Sequence, residues 1–491
     1  MAKIITVIGG GLGGLSAAIS LAADGHQVRL FEKNQHLGGK LNQTTIEGFK
    51  FDLGPSILTM PHIFRKLFEL HNQEMEQFLE IERLNLEWRS FFEDGNVIDL
   101  YSDLDEMLEQ NQELNSDDID DIKEYLDYAG GISDLVEEGY FAEGLDTLGQ
   151  VLKFYGPIKA FRGLDYFSTM AAGVEKRIKN PYLQHIYNFF IKYVGSSPYQ
   201  APAVLNMLPY IQYKYGLWYV PGGLFKISEA LQELAAGIDN LELNTGIEVV
   251  GIEKSGDSID GIILEDGQLV KSDYLVSNME VIPFYRDLLV EPEIEKEYKR
   301  FEPACSGYVL HLGVDRRYNN LAHHNFFFSK EPGEHFASVF QDYKLPEDPT
   351  IYLVASSQTD SGQAPEGCEN IKILPHIPHL GRGGFSREDY DDLKERVLDK
   401  LERNGLDNLR EHIIVEDEWL PEDIQSNYYS NYGAIYGVVS DKSKNKGFKA
   451  PKKSHKYRNL YFTGGSVNPG GGMPMVVLSG QQVRDMLKDR E

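Results

Sequence analysis

Between Lys3 and Glu32 the chain passes from a β-branched run, through six residues of which five are glycine, into a helix-like stretch and out into a second apolar run. Ile4, Ile5, Val7 and Ile8 lack helical spacing, which suits a strand buried on both faces of a parallel sheet. Gly9, Gly11 and Gly14 occupy the positions of a G-x-G-x-x-G turn. The first gives the tight bend, the second lets backbone approach a pyrophosphate, and the third admits a helix packed on a strand. A helix is expected over Leu15 to Asp24, stopped by Gly25, with its N–H groups and positive dipole end facing that pyrophosphate. Val28 to Phe31 forms the second strand. Glu32 closes it, 18 residues beyond Gly14, where a carboxylate accepts hydrogen bonds from ribose hydroxyls and repels a 2′-phosphate. The unit is a dinucleotide-binding βαβ for FAD or NAD rather than NADP.

At 491 residues the chain exceeds one core, and two intertwined domains are expected. A formal charge of −28 argues against nucleic acid as a partner, because phosphate binding needs a basic surface. Cys305 and Cys368 stand far apart in no metal or redox spacing, as inert thiols in a reducing compartment do. Met1-Ala2-Lys3 enters the first strand at once and leaves no room for a signal peptide, so a cytoplasmic protein is expected. The longest uncharged run in the middle of the chain, Tyr193 to Tyr213, is interrupted by Pro198, Pro202 and Pro209. It cannot be a simple membrane span, and membrane contact is expected to be peripheral, at the inner face of the cell membrane.

After the first unit, Met60 to Leu79 reads as an amphipathic helix, and Trp88 to Leu100 as a hairpin turning at Asp94-Gly95. Tyr101 to Gln150 holds 16 acidic residues and one base, Lys123, which reads as the solvated face of helices. Val151 to Ala230 inverts this, with nine bases, three acids and a dense aromatic set. Those aromatics suit plain core and an interfacial or lipid-facing surface equally. Phe225 to Ala236 is a helix, followed by short strands ending at Tyr274 to Asn278 that return to the nucleotide-binding domain. Strands are then expected at 306–314, 325–329, 337–341, 351–355, 371–374 and 413–416, with a helix over Arg387 to Arg403, making a mainly antiparallel sheet. Lys442 to Arg458 carries eight bases and reads as a solvated loop.

Near the end of the chain, the strand 459–463 leads through Gly464-Gly465-Ser466-Val467-Asn468-Pro469-Gly470-Gly471-Gly472-Met473-Pro474 into a helix from Met475 to Lys488. Glycines there let backbone pass against a flat ring, and the helix start can place positive charge at its edge. Gly38-Gly39-Lys40 and Phe51-Asp52-Leu53-Gly54-Pro55-Ser56 resemble the extended FAD signature of amine-oxidase-like flavoproteins, which selects FAD over NAD. With Gly216-Leu217-Trp218-Tyr219-Val220-Pro221-Gly222-Gly223, these motifs make the whole chain similar to the carotenoid desaturase and oxidase flavoproteins of bacterial phytoene-desaturase type. FDLGPSILTMPHIF, FIKYVGSSPYQAPAVLNML, SNMEVIPFYRDLL, LAHHNFFFS and NPGGGMPMVVLSGQQV look closest to the oxidase branch. Asn468 stands where the desaturases usually carry histidine, which also favours that branch.

The resemblance implies an α/β, two-dinucleotide-binding-domain (amine-oxidase-like) flavoprotein fold with a second α+β substrate domain on an antiparallel sheet. Its FAD domain would comprise 1–90, 222–300 and 431–491, and its substrate domain 91–221 and 301–430. The implied activity is FAD-dependent oxidation of the terminal methyl of a C30 carotenoid, 4,4′-diaponeurosporene or 4,4′-diapolycopene, to an aldehyde. A C30 or C40 carotene desaturase is the alternative, and a cofactor-free isoprenoid escort a remoter one. Carried onto this chain, the FAD contacts fall first on Gly9, Gly11, Leu12, Gly13, Gly14, Glu32 and Lys33. Gly39, Lys40, Gly54, Pro55, Ser56, Val249 and Asn278 follow, then Gly464, Gly465, Gly471, Gly472, Met473 and Pro474. No catalytic side chain beyond the flavin is implied, and the preferred carotene and oligomeric state stay open. His323-His324 and His376-Ile377-Pro378-His379 lack a two-histidine, one-carboxylate pattern, so they are expected as loop or tunnel-lining residues rather than metal ligands.

Overall fold

The computed structural model describes residues 2–488. Met1, on which the reading of the chain's start rests, and residues 489–491 of the outermost segment lie outside them. A five-stranded sheet has the order Leu460–Phe462, Tyr274–Ser277, Ile4–Ile8, Gln27–Glu32, Leu241–Thr245. All its pairings are parallel. Its strands come from three distant parts of the chain, so the nucleotide-binding domain closes only when the last residues return. Ile5, Val7 and Leu30 are fully buried, as a sheet covered on both faces requires.

The helix Leu12–Ala23 begins three residues before the predicted Leu15. Gly11 is its N-cap in extended backbone, so Gly13 and Gly14 join the helix instead of preceding it. This helix packs on the last one, Met473–Lys488. A Cβ at Gly480 would lie 2.6 Å from the Ala17 nitrogen, and Ser16 Oγ donates to the Val477 carbonyl at 2.6 Å. The first and last helices are thereby fixed to each other.

The second domain rests on a sheet of order Ile413–Trp419, Val309–Val314, Glu369–Ile377, Ile351–Val354, His324–Phe327, Leu86–Phe91, Val97–Tyr101. Every pair is antiparallel except Leu86–Phe91 with His324–Phe327. The expected boundary at residue 90 falls inside Leu86–Phe91, which belongs to this sheet. Two expected elements differ. Residues 337–341 are helical, as part of Pro332–Ala337 and the wider turn Ser338–Asp342. Proline at the first helical position and burial of Phe336, Val339 and Phe340 at helical spacing outweigh the short apolar pattern of Ala337, Val339 and Phe340. The helix expected over Met60 to Leu79 is confined to Pro61–Glu69, because Asn72 takes a left-handed turn at φ 55°.

Helices cover the sheet. In Ser116–Leu135, capped reciprocally by Asn115 and Asp118, the residues Ile119, Ile122, Tyr125, Ala129 and Ile132 face inward, so the acidic segment is folded with most of its charge outward. Of the aromatic set, Tyr187, Phe189, Phe190 and Tyr219 are buried, whereas Phe154 and Phe167 are exposed. The core reading holds for the first four, and the last two remain on the surface.

Candidate functional site

A cavity of about 500 Å3 opens between the two domains. Gly9, Gly11, Leu12, Glu32, Lys33, Gly39, Lys40, Val249 and Asn278 line one part of it. Gly54, Pro55, Ser56, Gly464, Gly465, Gly471, Gly472, Met473 and Pro474 line a second. The third is apolar and aromatic, with Tyr140, Val151, Tyr155, Leu164, Leu205 and Leu208 among its walls.

Asn278, just beyond the strand Tyr274–Ser277, is where the first two parts meet. A Cβ at Gly11 would lie 2.6 Å from its Oδ1, and Cβ atoms at Gly13 and Gly464 would lie 2.9 and 2.6 Å from its Nδ2. Gly10 and Gly38 join backbones through an N–H from Gly38 to the Gly10 carbonyl at 2.8 Å, which brings the second glycine pair against the first turn. Gly13 and Gly14, also expected at the cofactor, do not line the cavity. A Cβ at Gly14 would strike the Gly9 carbonyl, so Gly14 serves helix–strand packing, and one at Gly13 would meet Asn278 Nδ2 and the Gly464 nitrogen, so Gly13 lets the helix start close on Asn278 and the tail loop. The Glu32 carboxylate is buried, one oxygen accepting from the Gly10 N–H and the other from the Asn34 N–H, each at 2.8 Å.

Lys40 donates to the carbonyls of Ala434 and Ile435 at 2.9 and 3.3 Å and lies 3.7 Å from Glu280. Burial lowers its pKa, and Glu280 opposes that shift. Lys372 donates to the Gly54 carbonyl and to Ser56 Oγ, and burial lowers its pKa to about 8. Lys192, Tyr193, Tyr352 and Tyr436 complete the wall. None of these four, nor Lys372, is evident as a site residue by sequence motif. The available signal was a lone lysine inside a buried apolar segment, Phe189 to Val194 and Ile371 to Leu374 respectively, where an unpaired ammonium is costly.

Two expectations are corrected. His324 and His376 lie on strands, buried behind the wall rather than in loops or the tunnel. His324 Nδ1 lies 2.9 Å from the Tyr352 hydroxyl, and that tyrosine does face the cavity. The basic stretch Lys442 to Arg458 is not merely solvated, since Lys449 and Lys452 are buried and Lys452 pairs with the buried Asp146. Among the described residues no group of three or more His, Cys, Asp and Glu is placed to hold a metal ion, and no helix is long and apolar enough to cross a membrane.

The glycine turn before a helix N-terminus, the acid after the next strand and a second glycine loop closing on Asn278 define a dinucleotide-dependent oxidoreductase. The chain belongs to the family described as flavin containing amine oxidoreductase, which matches residues 12–483. It is 54% identical over 491 residues to a 4,4′-diaponeurosporene oxygenase of Staphylococcus haemolyticus, covering 100% of this chain and 98% of that protein. It is 53% identical over 493 residues to a 4,4′-diaponeurosporene oxygenase of Staphylococcus aureus strain USA300, covering 100% and 99%. Among solved structures, an oxidoreductase from Methanosarcina mazei matches with a TM-score of 0.64 at 16% identity, over 98% of this chain and 100% of that one. Putrescine oxidase bound to putrescine matches with a TM-score of 0.64 at 14% identity, over 100% of both. At those identities the likeness concerns the fold alone.

The residues present fit the family's flavin. Gly11, Gly39 and Gly464 line the cavity with backbone alone, and the helix starting at Leu12 turns its N-terminus to the cavity, as a diphosphate requires.

Proposed function

We propose that the protein is an FAD-dependent enzyme that oxidises the terminal methyl of a C30 carotenoid to an aldehyde. The observation that carries the reading is one cavity shared by the glycine turns and the apolar helices. The 53–54% identity to two 4,4′-diaponeurosporene oxygenases supports the substrate class. Glu32 and Lys33 would hold the adenosine ribose and Val249 the adenine. The backbone of Gly9, Gly11, Leu12 and Gly39, with Lys40, would hold the diphosphate. Gly54 to Ser56 and Gly471 to Pro474 would enclose the isoalloxazine. When bound, FAD supplies two-electron oxidation by accepting hydride from carbon. The chain's own residues orient a polyene along aromatic walls and exclude water from the reacting carbon.

A lipid substrate needs an entrance. Phe154, Ile158 and Phe167 are 41%, 75% and 74% exposed, while Tyr155, Ala160, Leu164 and Tyr166 of the same segment line the cavity. Lys153, Lys159 and Arg162 flank them, and Lys442 donates to the Phe167 carbonyl. An apolar patch rimmed by bases is the surface that enters an anionic bilayer, at about 1 kcal/mol per base. We place peripheral membrane contact here.

Expression in cells that accumulate 4,4′-diaponeurosporene tests the reading. A red-shifted pigment bearing a carbonyl is expected, whereas a more desaturated hydrocarbon would make the protein a desaturase.

A further inference from the structure

Lys192 lies in the tight turn Phe190–Val194 that follows the helix Pro181–Phe189. The turn is held against the tail loop. A Cβ at Gly472 would be 3.8 Å from the Tyr193 carbonyl, and Gly195, left-handed at φ 57°, lets the chain pass the Tyr436 ring. The lysine is 4% exposed and lines the cavity. Its Nζ lies 4.2 Å from the centroid of Tyr352, 4.6 Å from Tyr193, 4.9 Å from Phe326 and 5.0 Å from Trp88. Among the described residues it has ring faces around it but no hydrogen-bond acceptor and no carboxylate in contact.

Lys372, 6% exposed, and Lys40, whose side chain is 32% exposed, line the same cavity but are engaged. Lys372 donates to the Gly54 carbonyl and Ser56, and Lys40 to two carbonyls beside Glu280. Burial without a counter-charge holds Lys192 well below the ordinary lysine pKa. The nearby titratable groups do not reverse this. Burial, helped by the neighbouring His323 and His335, lowers the pKa of His324 and His376, and burial raises the pKa of the Tyr193 and Tyr352 hydroxyls, so neither supplies an anion. A desolvated amine of this kind is a nucleophile toward carbonyl carbon.

We propose that Lys192 is an imine-forming site for conjugated aldehydes in this cavity. The aldehyde as physiological ligand rests on the function proposed above. The Nζ lone pair attacks the carbonyl carbon, a proton passes from nitrogen to oxygen, and the carbinolamine loses water to leave R–CH=N–Lys192. Water reverses the sequence, so no oxidant or reductant is consumed. Oxidation of an aldehyde to an acid runs through its hydrate. An imine withholds the hydrate, and Lys192 therefore keeps the product at the aldehyde level until release. Without a neighbouring carboxylate the imine stays unprotonated.

The test supplies a polyene aldehyde directly. The purified FAD-loaded protein is mixed with all-trans-retinal, treated with sodium borohydride, which reduces an unprotonated imine, then digested and analysed by mass spectrometry. A reduced retinyl adduct on the Lys192 peptide is expected, together with a blue-shifted absorbance before reduction, and both should be lost in Lys192→Met and Lys192→Arg. Adducts confined to exposed lysines, or equal trapping in the two variants, would overturn the proposal. Peptide localisation in the unaltered protein decides even if a variant fails to fold. An adduct on Lys192 in a protein that leaves carotene methyls untouched would sink the proposed function and spare this one. Carotene oxidation without the adduct would do the opposite.

Discussion

Glu32 Oε2 accepts a hydrogen bond from the Gly10 backbone N–H at 2.8 Å. The acid that would receive the ribose thus also braces the turn that would receive the diphosphate. Glu32→Ala removes both functions, and FAD affinity should fall by about 1.5–3 kcal/mol, the worth of charge-assisted hydrogen bonds. Titration of the apo-protein with FAD measures this; unchanged affinity would take Glu32 out of the site.

Gly11→Ala and Gly14→Ala should fail differently. A Cβ at Gly14 is blocked by the Gly9 carbonyl inside the helix–strand contact. Overpacking of that kind costs about 1–3 kcal/mol, so a lowered melting temperature is expected with or without FAD. A Cβ at Gly11 meets the Asn278 side chain at the cavity wall, so lost FAD should dominate there. Thermal scans with and without added FAD separate the two. Equal loss of FAD affinity at equal stability would contradict the assignment.

The parts legible in the sequence were those where backbone geometry dictates residue type. The turn at Gly9–Gly14, Glu32 and the loop before Met473 could be read because only glycine tolerates the close approaches at Gly11 and Gly464, and only an acid serves at the end of Gln27–Glu32. Gly14 was legible as the glycine that packs helix on strand, whereas the FAD contact given to it and to Gly13 came from the resemblance alone, and neither lines the cavity. Lys192, Lys372 and the histidines escaped because tertiary packing, not spacing, decides what surrounds them. Residues 337–341 misled for a similar reason: three apolar residues suit a strand alternation as well as a helix turn.

Glu87 gives a pH dependence with a defined sign. It is buried, accepts from Gln212 Nε2 at 2.7 Å, and through Gln212 is linked to the Tyr193 hydroxyl at 2.5 Å. Burial pushes its pKa up from 4.5 to about 7. Unfolded, the carboxyl ionises near 4.5; folded, it holds its proton to about 7. The unfolded state therefore binds fewer protons across that window, and stability drops as pH rises through it. Urea unfolding at about pH 5 and about pH 8 should show the wild type losing up to about 3 kcal/mol relative to Glu87→Gln. A pH-independent difference would place the proton elsewhere.

Phe154, Ile158 and Phe167 should govern lipid contact without touching flavin. Replacing all three by serine removes apolar surface worth about 1.5–3 kcal/mol per side chain when fully buried, so sedimentation with anionic vesicles should fall steeply while FAD content is retained. Binding that is unchanged, or insensitive to anionic lipid, would remove this face from the membrane.

The most direct measurement is the mass of the product that FAD-loaded protein makes from 4,4′-diaponeurosporene presented in vesicles under air. Gain of one oxygen with loss of two hydrogens, and a carbonyl that reacts with hydroxylamine, is the expected result. Loss of hydrogen alone, or recovery of unchanged carotene from protein whose flavin is intact, would contradict methyl oxidation in the cavity between the two domains.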